Sequence, residues 1–122
     1  DLVRSMFSKA ETVPSLIPVV PCVDTMKVLS RTVLEDGSEE LAVIPGHSAD
    51  RSVLYGAQTP QIFHSEILKA AYGQAFDTAF TDDASVVEAT GVSITLVEGE
   101  DSNIKLTTPE DMEWAEWFLQ RD

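Results

Sequence analysis

The sequence predicts an α/β fold with an inserted β-arm. Three observations predict it. Short apolar runs alternate with stretches whose apolar residues recur at helical spacing. The helical stretches open on capping residues, and one of them closes on a glycine. A pair of β-leaning runs at 26–45 then interrupts the alternation. With 122 residues and 43% hydrophobic content, the chain is one globular domain or part of one, able to bury a core with modest reserve.

Taken in order, Leu2, Val3, Met6 and Phe7 repeat at helical spacing and predict the end of an amphipathic helix over 1–9. "SLIPVVPCV" (15–23) is an apolar run punctuated by prolines, which suits a buried or edge strand. "MKVLSRTVL" (26–34) and "ELAVIP" (40–45), separated by "EDGSE", read as a long hairpin. Few large apolar residues share one face of it, so it projects from the body or packs on a partner. "HSADRS" (47–52) is loop, and "VLYGAQT" (53–59) is a strand ended by Pro60. "FHSEILKAAYGQAF" (63–76) carries Ile67, Leu68, Ala71 and Tyr72 on one helical stripe. "TDDASVVEATG" (81–91) has helix bookends, with Asp82 and Asp83 as an N-cap pair. "VSITLVEG" (92–99) and "NIKLT" (103–107) read as strands. The last helix has Thr108 as N-cap, Pro109 at its first position and Glu110 and Asp111 in its first turn. Met112, Ala115, Phe118 and Leu119 form its expected buried stripe. There are no internal repeats and no low-complexity segments.

Bulk charge narrows the function. A net charge of −13 with only eight basic residues argues against nucleic acid, because phosphate neutralisation needs clustered Lys and Arg. No run of 18 apolar residues predicts a membrane span, and no leader suggests secretion. A single cysteine, Cys22, excludes an internal disulfide framework and fits a reducing, cytoplasmic setting. The first residue is Asp1 rather than methionine, so the chain reads as a fragment or a processed product.

Metal and nucleotide signatures are missing. His47 and His64 lie far apart, at no metal-ligand spacing with each other or with Cys22. The six glycines never form G-x-G or a phosphate-binding G-x-x-x-x-G-K. What remains is a set of polar residues at expected strand ends: Asp24 and Thr25, then Arg51 and Thr59 flanking a strand, then Lys105 in "NIKLTT". Ligands of α/β sheets bind outside the carboxyl ends of the strands. Arginine forks onto phosphate oxygens and lysine meets them as a point charge. The alternative is that these are turn residues and surface charges.

"IPVVPCVDTMK", "DRSVLYGAQTPQIF", "TDDASVVEATG" and "VEGEDSNIKLTTPEDMEWAEWFL" occur in that order. Together they resemble the C-terminal half of the 2-C-methyl-D-erythritol 4-phosphate cytidylyltransferase family, over nearly the whole chain from residue 16. The resemblance implies a Rossmann-like nucleotidyltransferase sheet and a homodimer formed through an exchanged β-arm, here residues 26–52. The reaction implied joins methylerythritol phosphate to CTP with Mg²⁺, releasing pyrophosphate, in the non-mevalonate isoprenoid pathway. Carried over by motif, Lys105 and Arg51 would position the sugar-alcohol phosphate for attack on the α-phosphorus of CTP. Thr25 and Arg51 would reach from the arm into the partner's site, and Thr59 and Thr81 would line the same pocket. Capping alone accounts for Thr107 and Thr108. The family's glycine-rich nucleotide loop and the acidic residue that helps place Mg²⁺ belong to an N-terminal half that these 122 residues do not contain. The chain is therefore expected to need that half for catalysis. Two other readings stand beside this one: a ribitol 5-phosphate cytidylyltransferase, which shares QTPQ and the NIK-type motif, and a non-catalytic dimerisation or binding module.

Overall fold

A computed structural model describes residues 1–121. The elements in order are α1 (Leu2–Lys9), β1 (Ser15–Pro21), β2 (Lys27–Val33), β3 (Glu39–Ser48), a 3-10 turn (Arg51–Val53), β4 (Tyr55–Ala57), β5 (Ile62–Phe63), α2 (Ser65–Ala71), α3 (Asp83–Glu88), β6 (Thr95–Glu98) and α4 (Pro109–Gln120). They divide into two units, one made of Asp1–Val20 and the chain from Ala57 onward, the other of Pro21–Gly56.

In the first unit β1 is the organising strand. It pairs antiparallel with β5 through Ser15↔Phe63 and Leu16↔Ile62. It also pairs parallel with β6, from Leu16↔Thr95 to Val19↔Glu98. Residues 15–18 are buried, which is why this run is apolar without alternation. Pro18 cannot donate to a ladder, but its carbonyl accepts the Gln58 N–H at 2.8 Å. The buried Ser15 hydroxyl donates to the Ser93 carbonyl at 2.8 Å, so its polar atom is satisfied. Ala71 of α2 and Val86 and Val87 of α3 form a core cluster, packed by Phe63, Ile67, Leu68, Phe80, Val92 and Ile94. Met6 is the buried contact of α1, whose N-cap Asp1 accepts the Arg4 N–H at 2.9 Å.

The second unit carries the hairpin. β2 and β3 pair antiparallel from Lys27↔Ser48 to Val33↔Glu39, with an irregularity between Lys27 and Leu29. Gly37 closes the turn at φ +86°, a conformation that favours glycine. Every residue of β2 is exposed, and Ile44 is the half-buried residue of β3. The unit therefore has no apolar core of its own along these strands.

Several expected boundaries move inward. The helix read at 63–76 is α2 over Ser65–Ala71, ended by a turn in which Gly73 N–H bonds to the Ala70 carbonyl. The helix read at 81–91 is α3 over Asp83–Glu88. The strand read at 53–59 divides into the 3-10 turn and β4. The strand read at 92–99 keeps only Thr95–Glu98. Two expectations are corrected outright. Residues 103–107 form no strand: their hydrogen-bonded backbone groups are met by local carbonyls and by the Gln58 and Asp111 side chains rather than by a neighbouring strand. The stripe on α4 is not buried: Met112 is 51% and Leu119 81% exposed, while Trp114, Ala115 and Phe118 are half-buried.

Candidate functional site

The first unit holds a cavity of about 560 Å³ between α2 and α3, lined by Thr59, Gln61, Tyr72, Phe80, Thr81 and Asp82 among others. Thr59 and Thr81, both singled out from sequence, therefore share one cavity. Its wall is fixed by the start of α3. Asp82 is the N-cap and accepts the Ser85 N–H at 2.8 Å, and the Ser85 hydroxyl completes a capping box. Gln61, the residue before β5, braces this turn, accepting the Ala84 N–H at 3.1 Å and donating to Asp82 Oδ2 at 3.0 Å. Partial burial works against the Asp82 charge, but the hydrogen bonds from Gln61 and Ser85 outweigh it and hold the carboxyl below its ordinary range. The Tyr72 hydroxyl donates a short hydrogen bond to Asp83, and that bond raises its pKa by favouring the neutral phenol. Sequence reasoning treated Asp82 and Asp83 as a cap pair; Asp82 is the cap and Asp83 anchors Tyr72.

Lys105 lies on an irregular loop running from Gly99 to the start of α4. It is exposed and makes no ion pair among the described residues. That loop is held by side chains rather than by a ladder. Gln58 Nε2 donates to the carbonyls of Glu100 (2.8 Å) and Asn103 (3.1 Å), and its Oε1 accepts from Glu100 N–H (3.2 Å) and Asn103 Nδ2 (3.4 Å). Asn103 Nδ2 also donates to the Thr59 carbonyl at 2.6 Å. At the far end, Asp111 Oδ2 accepts the backbone N–H groups of Thr107 and Thr108, each at 3.0 Å. Those two bonds, the Thr107 N–H first, hold the Asp111 carboxyl below its ordinary range. The motif of Lys105 is thus tied to the motif of Thr59.

Thr25 and Arg51 belong to the second unit. Arg51 opens the 3-10 turn, where Asp50 caps by accepting the Ser52 N–H at 3.0 Å. Its guanidinium donates to the Val23 carbonyl at 3.1 Å, two residues before Thr25. Both residues are exposed. One set of sequence-selected residues therefore sits in each unit: Thr59, Thr81 and Lys105 in the first, Thr25 and Arg51 in the second. His64 has a local role, its Nε2 lying 2.8 Å from the Ala10 carbonyl. Gln58, Gln61 and Asn103 were passed over in the sequence, although all three stand inside QTPQ and NIK. Among the described residues no group of three or more His, Cys, Asp or Glu comes together to hold a metal ion. No helix there is long and apolar enough to cross a membrane.

The family profile described as IspD, 2-C-methyl-D-erythritol 4-phosphate cytidylyltransferase, matches residues 1–121. A relative of that name from Bacteroides thetaiotaomicron is 44% identical over 112 residues, covering 92% of this chain and 46% of the relative. One from Synechococcus elongatus is 41% identical over 113 residues, covering 91% and 44%. Among solved structures, 2-C-methyl-D-erythritol 4-phosphate cytidylyltransferase from Thermus thermophilus superposes with a TM-score of 0.71 at 28% identity, over 98% of this chain and 55% of that one. The 4-diphosphocytidyl-2C-methyl-D-erythritol synthase of Anaerococcus prevotii gives 0.73 at 28%, over 98% and 52%. The chain spans about half the length of the curated relatives it matches.

Proposed function

The chain belongs to the 2-C-methyl-D-erythritol 4-phosphate cytidylyltransferase family, and from that premise we propose that it supplies the substrate-positioning half of such an enzyme. The reaction joins methylerythritol phosphate to CTP in non-mevalonate isoprenoid biosynthesis. A phosphate oxygen of the sugar alcohol forms a bond to the α-phosphorus of CTP. The bond from that phosphorus to the oxygen bridging to the β-phosphorus breaks, and pyrophosphate leaves with the electron pair. Such a displacement needs little covalent help, but it needs in-line positioning and neutralisation of charge on the equatorial oxygens.

Lys105 supplies that neutralisation at the junction of the two anions, and the hydroxyls of Thr59 and Thr81 donate to the substrate. Thr25 and the Arg51 guanidinium act from the arm of the partner subunit, holding the substrate phosphate in the homodimer. The single observation that supports this reading is the 2.6 Å hydrogen bond from Asn103 to the Thr59 carbonyl, which ties the NIK and QTP motifs together. Mg²⁺ travels with the nucleotide. The described residues bring no group of three or more His, Cys, Asp or Glu together, and in this reading the ion is held with CTP mainly by the N-terminal half. The glycine-rich nucleotide loop is supplied by an N-terminal half of the same enzyme. The free Cys22 supports a cytoplasmic setting.

The test is turnover of CTP and methylerythritol phosphate by the full-length protein and its Lys105→Ala variant. Loss of a preorganised cation at the transition state predicts a fall in kcat/KM of about 10²-fold or more. Wild-type turnover by the variant removes Lys105 from the mechanism, and a wild-type protein that releases no pyrophosphate overturns the reaction itself.

A further inference from the structure

We propose that Gln58 is a positioning residue whose carboxamide fixes the loop carrying Lys105, and that Gly99 is glycine to admit it. The catalytic part of this inference rests on the reaction proposed above; the structural part stands on geometry alone.

A glutamine carboxamide has two N–H donors and two acceptor lone pairs. In Gln58 all four are used, and all four partners belong to Glu100 and Asn103, 42 and 45 residues away along the chain. The loop they belong to has no helix or strand to hold it. Gln58 does for this backbone what a neighbouring strand would do, presenting a donor and an acceptor side by side. Asn103, fixed by the same carboxamide, then bonds the carbonyl of Thr59, the residue after Gln58. Lys105 follows Asn103 by two positions, and the backbone leading to it has two further bonds, from Asn103 N–H to the Glu100 carbonyl and from Ile104 N–H to the Ser102 carbonyl.

Gly99 gives independent support. Its backbone is not in the left-handed region that calls for glycine, unlike Gly37, Gly46 and Gly91. A Cβ there would overlap Gln58 Oε1 and lie 3.1 Å from Val20 Cγ1. The space, rather than the conformation, is what requires glycine. An alanine at 99 would drive the carboxamide out of its four bonds.

The experiment uses the full-length protein with Gln58→Ala, Gly99→Ala and the double variant, read by amide hydrogen exchange and by steady-state kinetics. Each single variant is expected to speed exchange at the hydrogen-bonded Glu100, Asn103 and Ile104 amides by tenfold or more, while β1 and α3 keep their protection. The double variant is expected to be no worse than either single one, since both remove the same clamp. In kinetics, kcat/KM falls by about tenfold, mainly through kcat, because a loosened cation stabilises the transition state less well. The isostere Gln58→Glu turns a donor into an acceptor facing two carbonyls, so its loop exchange and kcat recover towards wild type as pH falls and the carboxyl regains a proton. Unchanged exchange at these amides in Gln58→Ala overturns the clamp. Fast exchange with unchanged kcat/KM in an active protein overturns the positioning role. A wild-type protein without turnover defeats the reaction and with it the positioning role, while exchange still decides whether Gln58 holds the loop.

Discussion

Asp82 shows how much a single carboxylate does at the wall of the cavity. It caps α3, receives Gln61 and works against its own partial burial, with a pKa that ends below the ordinary 3.8. The sign of the consequence is fixed. A carboxyl depressed on folding contributes stability that is fully present above its unfolded pKa and is lost as pH falls through the folded one. Asp111, half-buried at the start of α4, has the same sign. The denaturation midpoint in urea is therefore expected to drop on acidification below about pH 4, and Asp82→Asn is expected to flatten that limb, since asparagine still caps but does not titrate. An acid limb as steep in the variant as in the wild type assigns the loss to other groups. The residues Gln58 and Gln61 were not legible as structural: a glutamine in a turn-rich motif carries no signal until its partners, 42 and 23 residues away, are in place.

At the level of elements, helix starts were read well and helix interiors less so. Thr108 accepts the Asp111 N–H at 3.2 Å, Asp111 returns bonds to the backbone, and Pro109 occupies the first position, as T-P-E-D predicts. Thr108→Ala is expected to cost about 1 kcal/mol and to fray the first turn of α4. Unfolding in denaturant measures the first effect and amide exchange at Glu110–Met112 the second; no change in either leaves the cap without energetic weight. The same helix misled the reading of its face. Helical spacing shows which residues share a stripe, but not whether anything lies against it, and Met112 and Leu119 remain exposed. Residues 103–107 have strand composition, yet the Asn103 carbonyl and the Thr107 N–H bond to the Gln58 and Asp111 side chains and the Asn103 and Ile104 N–H groups turn back to local carbonyls, so no ladder forms.

For the whole molecule, the hairpin is the feature that sets function apart from fold. A two-stranded ribbon exposed on both faces is at best marginally stable on its own. Leu29, Val33, Leu41 and Val43 stand at 43%, 66%, 55% and 57% exposure, apolar area that the proposed exchanged-arm homodimer would bury. If Arg51 serves the partner's site and Lys105 its own, co-expression of Arg51→Ala with Lys105→Ala restores activity. Each mixed dimer then has one intact site of two. Random pairing makes half of the dimers mixed, so about a quarter of wild-type turnover is expected. Activity no higher than that of the single variants places both residues in the site of one subunit.

The sequence by itself determined whatever is settled between near neighbours: the caps of α3 and α4, the β2–β3 hairpin with its Gly37 turn, and the α/β alternation. It also carried the four motifs that mark the family. Those signals are local because a cap, a turn or a periodic face is completed within a few residues. Only the tertiary structure decided that Thr59 and Thr81 share a cavity, that Lys105 rides on a loop instead of a strand, and that Gln58 stitches that loop down. These outcomes depend on hydrogen bonds between groups more than forty positions apart, or on which elements flank a cavity. Such partners are chosen by packing in three dimensions, for which no spacing along the chain is a sign.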